Sequence, residues 1–150
     1  RSLLEKLDPN KIVAANLAGG DRSADARTTI YAMFTDPPLA HVGLYEADAK
    51  RLVGEGRRIS QAVLAMKDVS RAKEESETTG LIKLLIDEDS DLFLGATMLG
   101  IQADEIIQAV GLVMASGGTW RTVRDALPAH PTVTEFLPTI IDRRKPLAAS

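Results

Sequence analysis

Five positions separate His130 from Glu135, and this is the spacing in the chain that could do proton chemistry. A free imidazole titrates near about 6.5, so it can take up or release a proton at neutral pH. A carboxylate that accepts one ring N–H orients the ring and favours its protonated form. The segment Pro128-Ala129-His130-Pro131-Thr132 carries two prolines, and their fixed φ angles leave less freedom to lose when the loop orders. The same residues have a plainer meaning. Thr132-Val133-Thr134-Glu135 spells a capping box ahead of apolar residues. Glu135 then serves a helix N-terminus, and His130 is an ordinary loop histidine. Spacing leaves both open, and one carboxylate has enough oxygens for both tasks.

The other candidates are few. His41 follows two prolines on a short apolar run, where a half-exposed sheet position is expected. Trp120, Tyr31 and Tyr45 are expected to be packing residues. With no cysteine among 150 residues, disulfides, thiolate metal sites and a thiol nucleophile within this sequence are excluded. Gly95 and Gly100 do not form a dinucleotide fingerprint, and no His/carboxylate spacing suggests a metal site. The net charge is −3 with scattered positive charges, unlike a nucleic-acid-binding stripe. No apolar run approaches the roughly 20 residues of a membrane span. Arg1 to Leu17 lacks the features of a signal peptide, so a cytoplasmic protein without membrane or nucleic-acid partners is expected. The chain opens on Arg1 rather than Met, and a piece of a longer polypeptide is expected.

The elements that must position these residues follow from periodicity. Leu3 to Leu17 has a helical pattern interrupted at Asp8-Pro9-Asn10, and Gly19 to Thr28 is small and polar like a linker. Ile30 to Phe34, His41 to Leu44, Ile59 to Met66, Leu81 to Ile86 and Leu92 to Leu99 read as strands. The last two are joined by the turn-forming Asp87-Glu88-Asp89-Ser90-Asp91. Glu46 to Val53 reads as a short helix, and Lys67 to Thr79 as a charged, solvated, flexible connection. Ala103, Ile106, Ile107, Val110, Val113 and Met114 recur at helical steps. Short helices from Trp120 to Leu127 and around Phe136 to Ile141 follow. The division expected is a preceding-domain tail and linker over 1–28, a folded domain over 29–142 and a frayed tail over 143–150. Strands followed by helices imply an α+β fold, an antiparallel sheet with helices packed on one face.

His130-Pro131-Thr132-Val133-Thr134-Glu135 resembles the His-Pro-Thr-x-x-Glu motif that ends glutathione reductase, lipoamide dehydrogenase and their relatives. Phe34-Thr35-Asp36-Pro37-Pro38-Leu39-Ala40-His41-Val42-Gly43-Leu44 is similar to the segment opening that family's dimerisation domain. Leu94 to Gly100, followed by Ala103-Asp104-Glu105-Ile106-Ile107-Gln108, is similar to its last strand and next helix. The resemblance covers about Ile30 to Ile141. It implies the carboxy-terminal dimerisation domain of a pyridine nucleotide-disulfide oxidoreductase that binds FAD and NAD(P)H in upstream domains. It further implies a homodimer in which His130 and Glu135 serve the partner subunit's redox thiol, with Pro131 close to the partner's flavin. Neither cofactor is expected on this stretch, which by itself should be inactive. Tyr45 stands where the family often has a capping Thr, so a shifted helix start is expected there. Pro37-Pro38-Leu39 and Thr119-Trp120-Arg121 resemble a branch labelled mercuric-reductase-like, which includes reductases responding to reactive chlorine. Mercuric reductases proper end in a cysteine pair, so mercury reduction through such a pair is not expected here. The alternative is a non-catalytic α+β interaction module; the coding sequence upstream of Arg1 discriminates the two.

Overall fold

The computed structural model describes residues 9–21 and 28–149. Helix α1, Pro9–Leu17, begins at the proline that was read as an interruption. Proline lacks the N–H that a first-turn residue has no use for, and its φ suits the helix start. The Leu3 to Asp8 part of that pattern, and most of the linker, lie outside the described residues.

Six strands form one antiparallel sheet: β1 Ile30–Met33, β2 Leu39–Gly43, β3 Ile59–Ala65, β4 Leu81–Asp87, β5 Phe93–Leu99 and β6 Lys145–Pro146, in the order β1-β2-β5-β4-β3-β6. Alternation sorts their side chains. Ala40, Val42, Ala62, Leu64, Ile82, Leu84, Ile86, Ala96 and Met98 turn to one face and are buried. Against them pack helix α4, Ala103–Ala115, helix α5, Trp120–Asp125, and helix α6, Leu137–Asp142. The α4 residues that recur at three- and four-residue steps meet the sheet: Ile106, Ile107 and Val110 are buried, while Leu112 faces out. Full burial of each such side chain contributes roughly 1.5–3 kcal/mol. The expected architecture, an antiparallel sheet with helices on one face, is the one found. Helix α2, Glu46–Gly54, adds cover at one end of the opposite face, where Ala49, Leu52 and Val53 meet Ile59, Leu85 and Leu147.

Two expectations are corrected. The charged connection after β3 holds a 3-10 turn, Met66–Asp68, and helix α3, Ser70–Glu74, with Met66, Val69 and Ala72 fully buried. Those three apolar positions lie one turn apart, so a single stripe enters the core while the surrounding charges face water. The tail is not frayed through 143–149. Lys145 and Pro146 pair with Gln61 and Ser60, the Leu147 N–H donates to the Ile59 carbonyl at 2.9 Å, and the Leu147 side chain is buried. Proline is tolerated there because β6 is an edge strand.

One glycine is fixed by close approach. A Cβ on Gly95 in mid-β5 would lie 2.2 Å from the Leu44 carbonyl oxygen, so this glycine serves the close approach of the chain leaving β2 rather than phosphate binding.

Candidate functional site

The segment carrying His130 hangs between two buried anchors. The upstream anchor is Trp120, at the start of α5. Asp91, at the end of the β4–β5 turn, holds it with two bonds and holds its neighbour Arg121 with a third. The Trp120 backbone N–H donates to the Asp91 carbonyl at 2.9 Å, the indole Nε1 donates to Asp91 Oδ1 at 2.8 Å, and Arg121 Nε donates to Asp91 Oδ2 at 2.8 Å. The Arg121 guanidinium holds the Asp91 carboxyl below its usual range. Three guanidiniums lie over the indole ring, those of Arg144, Arg121 and Arg124, at 4.1, 4.2 and 4.8 Å from its centroid. Trp120 is the packing residue the sequence suggests; its clamp to Asp91 is 29 positions away, a separation that no local spacing rule reveals. The downstream anchor is Val133, fully buried, followed by a 3-10 turn, Thr134–Phe136, and α6.

From Asp125 to Pro131 the chain is exposed apart from the half-buried Pro128, and the His130–Pro131 peptide is cis. His130 Nδ1 lies 2.7 Å from Glu135 Oε2. A carboxylate can only accept, so the ring donates through Nδ1–H. The histidine side chain is 79% exposed and that of Glu135 16%. Nε2 has no partner among the described residues, and in the neutral ring it carries the free lone pair. The structure therefore brings His130 and Glu135 together as a hydrogen-bonded pair. The capping reading holds in part: the Glu135 N–H donates to Thr132 Oγ1 at 3.2 Å, while the carboxylate turns to the imidazole.

His41 is corrected. It is fully buried rather than half-exposed. Its Nε2–H donates to the Gly43 carbonyl at 2.9 Å, and in the neutral ring its Nδ1 accepts from the Thr97 hydroxyl at 2.9 Å. Tyr45 stacks on it at 4.0 Å and 3°, and Tyr31 packs at 5.6 Å. The tyrosine hydroxyls meet at 2.9 Å, a bond that lifts Tyr31 above its ordinary value. Tyr45 therefore packs as expected, and α2 still begins at Glu46 with an uncapped, extended Tyr45 before it.

A cavity of about 680 Å³ beside β6 is lined by Arg57, Arg58, Ser60, Glu88, Arg144 and Lys145 among others. Its guanidiniums are already neutralised: Arg57 pairs with Asp87, Arg58 with Asp89, and Arg144 with Glu88. Among the described residues no cluster of His, Asp and Glu is arranged to hold a metal ion, and no helix is long and apolar enough to cross a membrane.

Comparison with known proteins adds the following. Residues 29–141 match the family described as "Pyridine nucleotide-disulphide oxidoreductase, dimerisation domain". The probable pyridine nucleotide-disulfide oxidoreductase RclA of Escherichia coli is 34% identical over 133 residues, covering 87% of this chain and 30% of that protein. A dihydrolipoyl dehydrogenase of Synechocystis is 35% identical over 127 residues, covering 84% of this chain and 27% of the relative. The mercuric reductase of Shigella flexneri is 32% identical over 124 residues, covering 83% of this chain and 22% of the relative. A solved structure titled as the HOCl-induced flavoprotein disulfide reductase RclA from Escherichia coli superposes with a TM-score of 0.78 at 32% identity, covering 88% of this chain and 30% of the other. The chain thus spans less than a third of the length of these relatives.

Proposed function

The chain belongs to the pyridine nucleotide-disulphide oxidoreductase dimerisation-domain family, and from that premise we propose that it pairs two copies of a larger disulfide-type oxidoreductase and lends each copy's active site a proton-transfer pair. His130 is the acid–base group and Glu135 its orienter. The observation that carries this reading is the 2.7 Å Nδ1–Oε2 bond on a side chain that is 79% exposed. A histidine placed for packing would bury its ring; this one commits one nitrogen and presents the other.

FAD and NAD(P)H, bound elsewhere in the longer protein, supply the electron chemistry. The described residues fit neither dinucleotide, since Gly95 is taken up by the close approach of Leu44 and the sequence has no Gly-rich phosphate loop. What these residues do is move a proton. A redox thiol of the partner subunit gives its S–H proton to His130 Nε2 and becomes a thiolate. Glu135 stabilises the imidazolium through Nδ1–H, and the proton returns when the sulfur is next protonated. Pro131, adjoining the ring, lies close to the partner's flavin in this arrangement. Self-association is supported by the family's printed description and by an apolar groove of about 270 Å³ between α4, α5 and α6. Its walls include Ala109, Val113, Val123 and Leu137. Leu127 lies fully open and Leu112 is 64% exposed. By itself the 150-residue chain has no turnover in this reading.

The test is His130→Ala in the full-length protein. Thiol-linked turnover should fall roughly 10²–10⁴-fold while flavin content and dimer mass are unchanged. Wild-type turnover in that variant removes His130 from the mechanism.

A further inference from the structure

We propose that Thr132 is a positioning residue for the His130–Glu135 pair, its hydroxyl being the node that sets the two partners' backbones at the distance their side chains require. The geometry stands by itself; its consequence for turnover rests on the proton-transfer reading above.

Side-chain packing does not hold the imidazole. Leu127, Ala129, His130 and Pro131 are all exposed, so no packing fixes the ring. Trp120 and Val123 anchor the segment on one side and Val133 on the other. Between them one oxygen makes two bonds. Thr132 Oγ1 donates its single proton to the Ala129 carbonyl at 2.8 Å and accepts the Glu135 N–H at 3.2 Å. Ala129 immediately precedes His130, and Glu135 is the residue whose carboxylate must reach it. The hydroxyl therefore ties the backbone before the base to the backbone of its orienter, and closes a small ring with the Nδ1–Oε2 bond. Valine matches threonine in shape but can neither donate nor accept. Serine keeps both bonds and loses only a methyl group.

Because the chain has only two histidines, nitrogen-15 NMR of the imidazoles reads this directly. In the 150-residue chain His130 should report the Nδ1–H tautomer, and His41 the Nε2–H tautomer dictated by the Gly43 carbonyl. Thr132→Val should abolish the Nδ1–H signature of His130 and move the ring towards Nε2–H, whereas Thr132→Ser retains it. Unchanged His41 signals in both variants show that the sheet is intact, so the loss is not unfolding. In the full-length protein Thr132→Val should lower kcat by roughly 10–100-fold with KM little changed, the effect of misplacing a catalytic group, and Thr132→Ser should restore it. A Thr132→Val chain with the wild-type His130 tautomer overturns the proposal, as does a serine variant as defective as valine. Loss of the tautomer in Thr132→Val, in a protein where His130→Ala turns over normally, supports the positioning role and strikes only the proton-transfer reading.

Discussion

The two histidines of this chain occupy opposite kinds of site. His41 has both nitrogens bonded, a tyrosine stacked on its ring and no exposed surface. His130 has one nitrogen bonded, no ring neighbour and most of its surface in water. The same side chain is structural where its donor and acceptor are both satisfied, and available for chemistry where one is left over. The difference lies in the backbone around each. His41 sits in mid-strand, where cross-strand register delivers Tyr31 and Thr97 beside it. His130 sits on a loop whose side-chain hydrogen bonds, among the described residues, span five positions or fewer.

The largest effect that sharpens this contrast is on stability at His41. His41→Ala removes a buried ring and strands the Gly43 carbonyl and the Thr97 hydroxyl, at a cost of roughly 2–4 kcal/mol. For a chain of this size that lowers the melting temperature by about 6–12 °C. Thermal denaturation followed by circular dichroism measures it. A shift under about 2 °C would mean that the site tolerates water, and the contrast between the histidines would weaken.

A smaller effect is expected next to the His41 row. Cross-strand register continues from His41 and Thr97 to Lys83, and Lys83 bonds Glu46 at the start of α2. Lys83 foremost, then Lys50 at 2.9 Å, pull the Glu46 carboxyl down to about 2, with Gln61 donating at 3.0 Å. A depressed carboxylate stabilises the fold fully above its ordinary value of 4.5, and that contribution disappears as the pH falls towards 2. Glu46 is 30% exposed, so solvent screening limits it to about 1 kcal/mol. Glu46→Gln should therefore be less stable than wild type at pH 7. The gap should close between pH 4.5 and 2, as read from urea midpoints across that range. A gap independent of pH would assign the loss to packing instead.

Much of this was legible from sequence for a physical reason: alternation and helical recurrence are local, and so is the pairing of His130 with Glu135. The inward rows of β3, β4 and β5 and the buried stripe of α4 follow directly from residue spacing. What escaped depends on partners far along the chain. His41 falls on the opposite face from Ala40 and Val42, a face whose cover at that point comes from Tyr31 and Tyr45. β6 is two residues of Lys-Pro with no period to detect, and it exists because β3 offers a free edge. Leading into α3, a stripe as short as Met66, Val69 and Ala72 was hidden by the charges around it.

The smallest expected stability effect is the one most able to break the contrast. His130→Ala deletes an exposed ring that packs on nothing, so unfolding free energy should change by no more than about 0.5 kcal/mol. The Thr132 bonds to Ala129 and Glu135 remain, because neither uses the imidazole. Urea denaturation of the two single variants on one day compares His41 and His130 directly. If His130→Ala costs more than about 1 kcal/mol, the Nδ1–Oε2 bond is holding the loop rather than readying a base, and both histidines become structural. If it costs nothing while turnover of the full-length protein collapses, the loop carries chemistry at no benefit to the fold, as a residue held for a neighbouring subunit would.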